Sequence, residues 1–152
     1  MSDFTYTIDI HAPKEIVFDC ISDNEKQKIW MEGLQETYYA GEYDPENPVG
    51  TKFKQKIKEG GRVVEYDGEV IAYDRPDLIA VKIGNQSFSV SAYYELSDTT
   101  QGTRLDYRAE MGTANTFTKI MGFLFGWLTK RILHKQMANL KELAESEAKV
   151  TV

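Results

Sequence analysis

The chain has 152 residues, 41% hydrophobic and 28% charged, a balance that suits one domain with its own core and excludes a largely disordered protein. A formal net charge of -6 works against recognition of phosphate backbones, which draws its affinity from Lys and Arg, so nucleic acid is not an expected partner. The single cysteine, Cys20, has no second thiol for a disulfide or a zinc site, and residues 1–7 lack a signal-peptide pattern, so the expected location is the cytoplasm.

Phe4, Tyr6, Ile8 and Ile10 alternate with polar residues, the period of a half-buried strand. Ala12-Pro13 then opens a helix carrying Ile16, Val17, Cys20 and Ile21 at helical spacing. Ser22 or Asp23 caps a second short helix running through Trp30 and Met31 and ended by Gly33. Leu34 to Ala40 reads as a strand, Gly41 to Gly50 as a loop, and Thr51 to Lys58 as the next strand.

Gly60-Gly61 is a two-residue hairpin signal. Folding the chain about it sets Lys56, Lys54 and Lys52 opposite Glu65, Asp67 and Glu69 on one face, and Ile57, Gln55 and Phe53 opposite Val64, Tyr66 and Gly68 on the other. A slip of one residue would scramble both faces, so the register is strongly specified. Ile79 to Ile83, then Phe88, Val90, Ala92, Tyr94 and Leu96, then Leu105, Tyr107, Ala109 and Met111 mark three more strands, with a loop at Asp98 to Gly102. Seven strands joined mostly by short turns predict an antiparallel meander in an α+β domain spanning residues 1–152.

Residues from about Ala114 to Ala148 read as one long helix, capped by Asn115 or Thr116. Leu133, Gln136, Met137, Leu140, Leu143 and Ala144 form its buried stripe, which continues backwards through Thr129, Gly126, Phe125, Gly122, Met121 and Thr118. Gly122 and Gly126, each about 1 kcal/mol worse than Ala in a helix, either admit a closely packed backbone or leave space for a ligand. The opposite face, with Phe117, Ile120, Leu124, Trp127, Leu128 and nearby Phe123, is apolar as well. It is covered by the rest of the chain, or Phe123 and Trp127 make a peripheral membrane contact or a homodimer contact. The run Ile120 to Leu128 is about half the roughly 20 residues that a membrane span needs.

The first strand followed by "HAPKEIVFDCISDNEKQKIWMEG", together with "VGTKFKQKI", "YYELSDTTQGTRLDYRAEM" and "KQMANLKELAE", resembles the polyketide cyclase/dehydrase and lipid-transport proteins of the START-like (SRPBCC, Bet v 1-like) superfamily. The resemblance spans nearly the whole chain. It implies a helix-grip fold, in which a seven-stranded antiparallel sheet wraps a long C-terminal helix and two short helices lie between strands one and two. It also implies an apolar ligand such as a sterol, phospholipid, quinone or polyketide between sheet and helix, often without enzymatic activity.

Enzyme signatures are absent. His11 and His134 lie on separate elements with no carboxylate or cysteine at metal-ligand spacing, so no metal and no cofactor is expected. Cys20 faces inward as an inert thiol. The inward polar residues Gln55, Tyr66, Tyr94, Tyr107 and Thr129 either satisfy one another or orient the polar end of a ligand held by Phe53, Phe88, Val90, Met111, Met121, Phe125 and the Gly122–Gly126 surface. Trp30, by the resemblance, stands near the cavity mouth; from its own helix it reads equally as a core anchor. The expected function is non-enzymatic binding or carriage of a small hydrophobic molecule or lipid. A cyclase/aromatase-type enzyme and a protein-interaction module are the alternatives.

Overall fold

The structure, a computed structural model, describes residues 3–84, 89–111 and 130–151. In chain order its elements are β1 (Asp3–Ile10), α1 (Lys14–Ser22), α2 (Asn24–Trp30), β2 (Leu34–Tyr39), β3 (Lys52–Glu59), β4 (Arg62–Asp74), β5 (Leu78–Gly84), β6 (Ser89–Thr99), β7 (Gly102–Met111) and α3 (Lys130–Thr151). The strands form one antiparallel sheet in the order β1-β7-β6-β5-β4-β3-β2. β1 and β2 are therefore the two edges, although only α1 and α2 separate them in sequence. The short helices must cross from one edge to the other, and in doing so they cover the inward face.

The β3–β4 hairpin has the register read from Gly60-Gly61, with Phe53 opposite Gly68, Gln55 opposite Tyr66 and Ile57 opposite Val64. Both turn glycines have positive φ, 55° and 96°, the conformation that a two-residue hairpin loop demands and L side chains resist. On the outer face Lys54 reaches Asp67 at 2.6 Å and Lys52 reaches Glu69 at 3.3 Å. Lys56 faces Glu65 across the ladder, but that carboxylate accepts from the Tyr38 hydroxyl and lies 3.9 Å from Lys54, while Lys56 sits over the Tyr38 ring. The loop expected at Asp98 to Gly102 shrinks to the turn residues Thr100 and Gln101, because β6 and β7 pair as far as Thr99 and Gly102.

Two β-bulges interrupt the ladders, one between Leu34 and Glu36 on β2 and one between Val70 and Ala72 on β4. Each adds a residue and reverses which face the following side chains occupy. Beyond them Thr37 and Tyr39 stand opposite Gln55 and Phe53, and Tyr73 stands opposite Ile79.

Helix α2 is capped by Asp23, whose carboxylate accepts from the backbone N–H groups of Glu25 and Lys26. Helix α3 buries Leu133, Gln136, Met137, Leu140 and Ala144 of the stripe expected of it, and leaves Leu143 half-buried against the core. Its outer residues tie it to three other segments: Glu145 accepts from the His11 backbone N–H at 2.9 Å, Lys141 donates to the Asp9 carbonyl at 2.9 Å, and Lys26 pairs with Glu147 at 2.7 Å. The core runs from Ile10, Val17 and Phe18 through Trp30, Tyr66 and Leu105 to Met137 and Leu140. No helix among the described residues is long and apolar enough to cross a membrane.

Candidate ligand cavity

An opening of about 260 Å³ lies between the α1–α2 junction, the β2–β3 loop and strands β2 to β5. Asp19, Ser22, Asp23 and Asn24 border it on the helical side, Tyr43, Pro45 and Pro48 on the loop, Tyr39 and Tyr73 on the sheet, and Arg75 on the β4–β5 turn. Its inner wall is Thr37, Phe53, Val70, Ile79 and Val81. A smaller chamber of about 50 Å³ adjoins it, lined by Ile21, Trp30, Met31, Gln55, Ile83 and Tyr94, with Gln27, Phe53, Ile79 and Val81 lining both. An apolar concavity with a few converging polar groups is the usual form of a small-molecule site.

The mouth is organised by specific contacts. Asn24 donates to the Tyr39 hydroxyl at 3.0 Å, and the Tyr39 and Tyr43 rings stack with centroids 4.5 Å apart. Arg75 bonds Asp19 at 2.6 Å and lies over the Phe18 ring. Its charge is thus held by the helix and not offered freely to a ligand.

Gln55 dominates the inner chamber. Its Nε2 donates to Thr37 Oγ1 at 3.2 Å and to Gln27 Oε1 at 3.4 Å. The residue is 3% exposed. Among the described residues, Gln55 Oε1 and Gln136 Nε2 are the buried side-chain atoms without a hydrogen-bond partner.

Of the other residues expected to face a ligand, Trp30 combines both readings of its role. It is 1% exposed with its indole N–H bonded to the Cys20 carbonyl at 2.7 Å, which anchors α2 to α1, and it lines the chamber. Phe53 and Tyr94 line it as well. Tyr94 packs edge-on against Trp30 and against Tyr107, at 6.3 and 5.1 Å, and burial pushes both tyrosine hydroxyls well above their ordinary range. Tyr66, Tyr107 and Val90 belong to the buried core and do not line the two chambers. Tyr66 donates to Glu59 at 2.8 Å; desolvation raises the Glu59 carboxyl above the usual range despite that bond. Met111 ends β7. Phe88, Met121, Gly122, Phe123, Phe125, Gly126, Trp127 and Thr129 lie outside the described residues.

Besides the apolar wall of Val70, Ile79, Val81 and Ile83, the cavity residues that sequence reasoning missed include Gln27, Thr37, Tyr39 and Tyr73. Gln27 precedes Trp30 by one helical turn and so shares its face, a signal available from spacing alone. The other three follow the bulges, where simple alternation assigns the wrong face. Burial pushes the Cys20 thiol up to about 11, which leaves it protonated and unreactive at neutral pH. The described residues contain no group of three or more His, Cys, Asp or Glu able to hold a metal ion.

A curved antiparallel sheet gripping a C-terminal helix, with two short helices closing one end, defines the Bet v 1-like helix-grip class. The chain belongs to the family described as polyketide cyclase/dehydrase and lipid transport, whose model matches residues 1–145. Similar solved structures include the protein named Ara h 8.0201, with a TM-score of 0.70 at 13% identity over 98% of each chain. The di-domain ARO/CYC protein StfQ of the steffimycin biosynthetic pathway gives a TM-score of 0.71 at 13% identity, over 98% of this chain and 51% of that one. A protein of Thermus thermophilus gives 0.71 at 15% identity, over 97% and 99% of the two chains. No curated protein matches the sequence.

Proposed function

We propose that the protein binds and carries a small hydrophobic molecule or a lipid, without turning it over, in the cavity between the sheet and its helices, and that it does so in the cytoplasm. The observation that carries this reading is the apolar wall of Phe53, Val70, Ile79 and Val81, continuous from a polar mouth to the chamber beside Trp30 and Gln55. A filled core would close that space, since protein interiors pack with few voids larger than a water molecule. Membership of a family that includes lipid-transport proteins supports the same reading. Mass spectrometry of the protein purified under native conditions, joined to titration with apolar fluorescent probes, tests it. Retained ligand or saturable probe binding is expected; absence of both sinks the proposal.

The likeness to one half of the StfQ chain favours a second reading, an aromatase/cyclase-type enzyme that holds an extended chain in a folded conformation. Gln55 is the group that could contact such a chain from the chamber, with Tyr66 its cross-strand partner and Tyr107 in the buried core. Turnover of a polyketide thioester that drops on Gln55→Leu would support this reading. Turnover indifferent to replacement of all three residues would remove their chemical role.

A further inference from the structure

We infer that the ligand of this cavity carries a hydrogen-bond donor, a hydroxyl or N–H, which it delivers to Gln55 Oε1 at the closed end; the inference rests on the binding function proposed above and narrows it to a ligand class. The orientation of two neighbouring amides, Gln55 buried and Gln27 half-buried, decides the matter. Gln27 Nε2 donates to the Ile21 backbone carbonyl at 2.8 Å. A carbonyl can only accept, so this bond sets which end of the Gln27 amide is nitrogen and turns its Oε1 toward Gln55.

Gln55 must then present its NH2 group to Gln27 Oε1, at 3.4 Å, and to Thr37 Oγ1, at 3.2 Å. Flipping Gln55 would set two carbonyl oxygens against each other. The Gln55 carbonyl is left buried and without a partner, on a residue that lines the chamber. A buried acceptor left unmade costs about 1–3 kcal/mol, so a ligand that supplies a donor there gains relative to one that does not. The groups around it are Trp30, Met31, Phe53, Ile83 and Tyr94. The indole N–H of Trp30 is already committed to Cys20. A carboxylate or ketone would set a second acceptor against Oε1, so a fatty-acid head group fits this end poorly and an alcohol or phenol fits it well.

The test compares four probes on one aromatic frame by isothermal titration calorimetry: naphthol, naphthyl methyl ether, naphthalene and naphthoate. The native protein should bind naphthol about tenfold more tightly than the ether or the hydrocarbon, the gain expected of one buried hydrogen bond, and naphthoate most weakly. Gln55→Met should abolish the ratio of naphthol to ether affinity, whatever it does to the affinity for naphthalene itself. Equal binding of naphthol and ether by the native protein would overturn the inference yet leave the apolar cavity standing, and that comparison does not depend on the variant folding. A naphthol preference that survives Gln55→Met would also overturn it. Failure of every probe to bind would overturn this inference, and joined to the absence of any retained ligand it would sink the proposed function as well.

Discussion

Gly68 sits on β4 directly opposite Phe53, and a Cβ added there would meet the Phe53 ring at 2.3 Å. The missing side chain is what lets the ring lie against β4 and form part of both chambers. Gly68→Ala should therefore displace Phe53 and cost about 1–3 kcal/mol, the usual penalty for forcing atoms into a packed site. Chemical denaturation measures it. In a Phe53→Leu background the same substitution should cost clearly less, and an unchanged cost would mean that the ring does not rest on the glycine. At this scale the Phe53–Gly68 and Gln55–Tyr66 partnerships were legible, since Gly60-Gly61 and the two-faced charge pattern together allow one register. Thr37, Tyr39 and Tyr73 were not, because a bulge is a backbone event that alternation does not encode.

Among the elements, the β3–β4 hairpin separates its ion pairs from its core contacts, one set on each face. Lys54 and Asp67 are 36% and 66% exposed in their side chains, so a double-mutant cycle with Lys54→Ala and Asp67→Ala should give a coupling below about 1 kcal/mol. Ile57→Ala, at a position 2% exposed, should cost about 2–5 kcal/mol. The reverse ranking would mean that charge, not burial, holds the hairpin. Helix α3 offers a pH-dependent case. Burial works to raise the Glu145 carboxyl, but the Lys141 ammonium and the His11 backbone N–H outweigh it and hold the group below the ordinary range. A carboxyl depressed on folding contributes stability above its unfolded pKa, about 4.3, and loses it as pH falls through the lower folded value. Glu145→Gln should accordingly reduce stability at neutral pH and flatten its decline below about pH 4.3. Melting curves across that range read the change; parallel native and variant profiles would deny the tether.

Across the whole molecule, the edge positions of β1 and β2 explain why a cavity forms at all. Among the described residues, two short helices spanning a seven-stranded sheet leave an opening beside β2 to β5, bordered by the β2–β3 loop with Tyr43 and Pro45. The order of elements was readable because alternation, caps and turn residues agree along the chain. The position of the opening beside α1 and α2 was not, because it depends on edge order and on the bulges, both of which emerge from pairing across the sheet. The sequence pattern pointed instead to Gly122 and Gly126, outside the described residues.

Val81 lies at the junction of the two chambers, and Val81→Phe should fill that space. Titration of native and Val81→Phe protein with one saturable apolar probe tests the cavity as the binding site most directly. The variant should stay folded and bind the probe about tenfold or more weakly, the loss expected when a bulky ring occupies the ligand's volume. Equal binding by a folded variant would place the ligand elsewhere and rule out this cavity as its site.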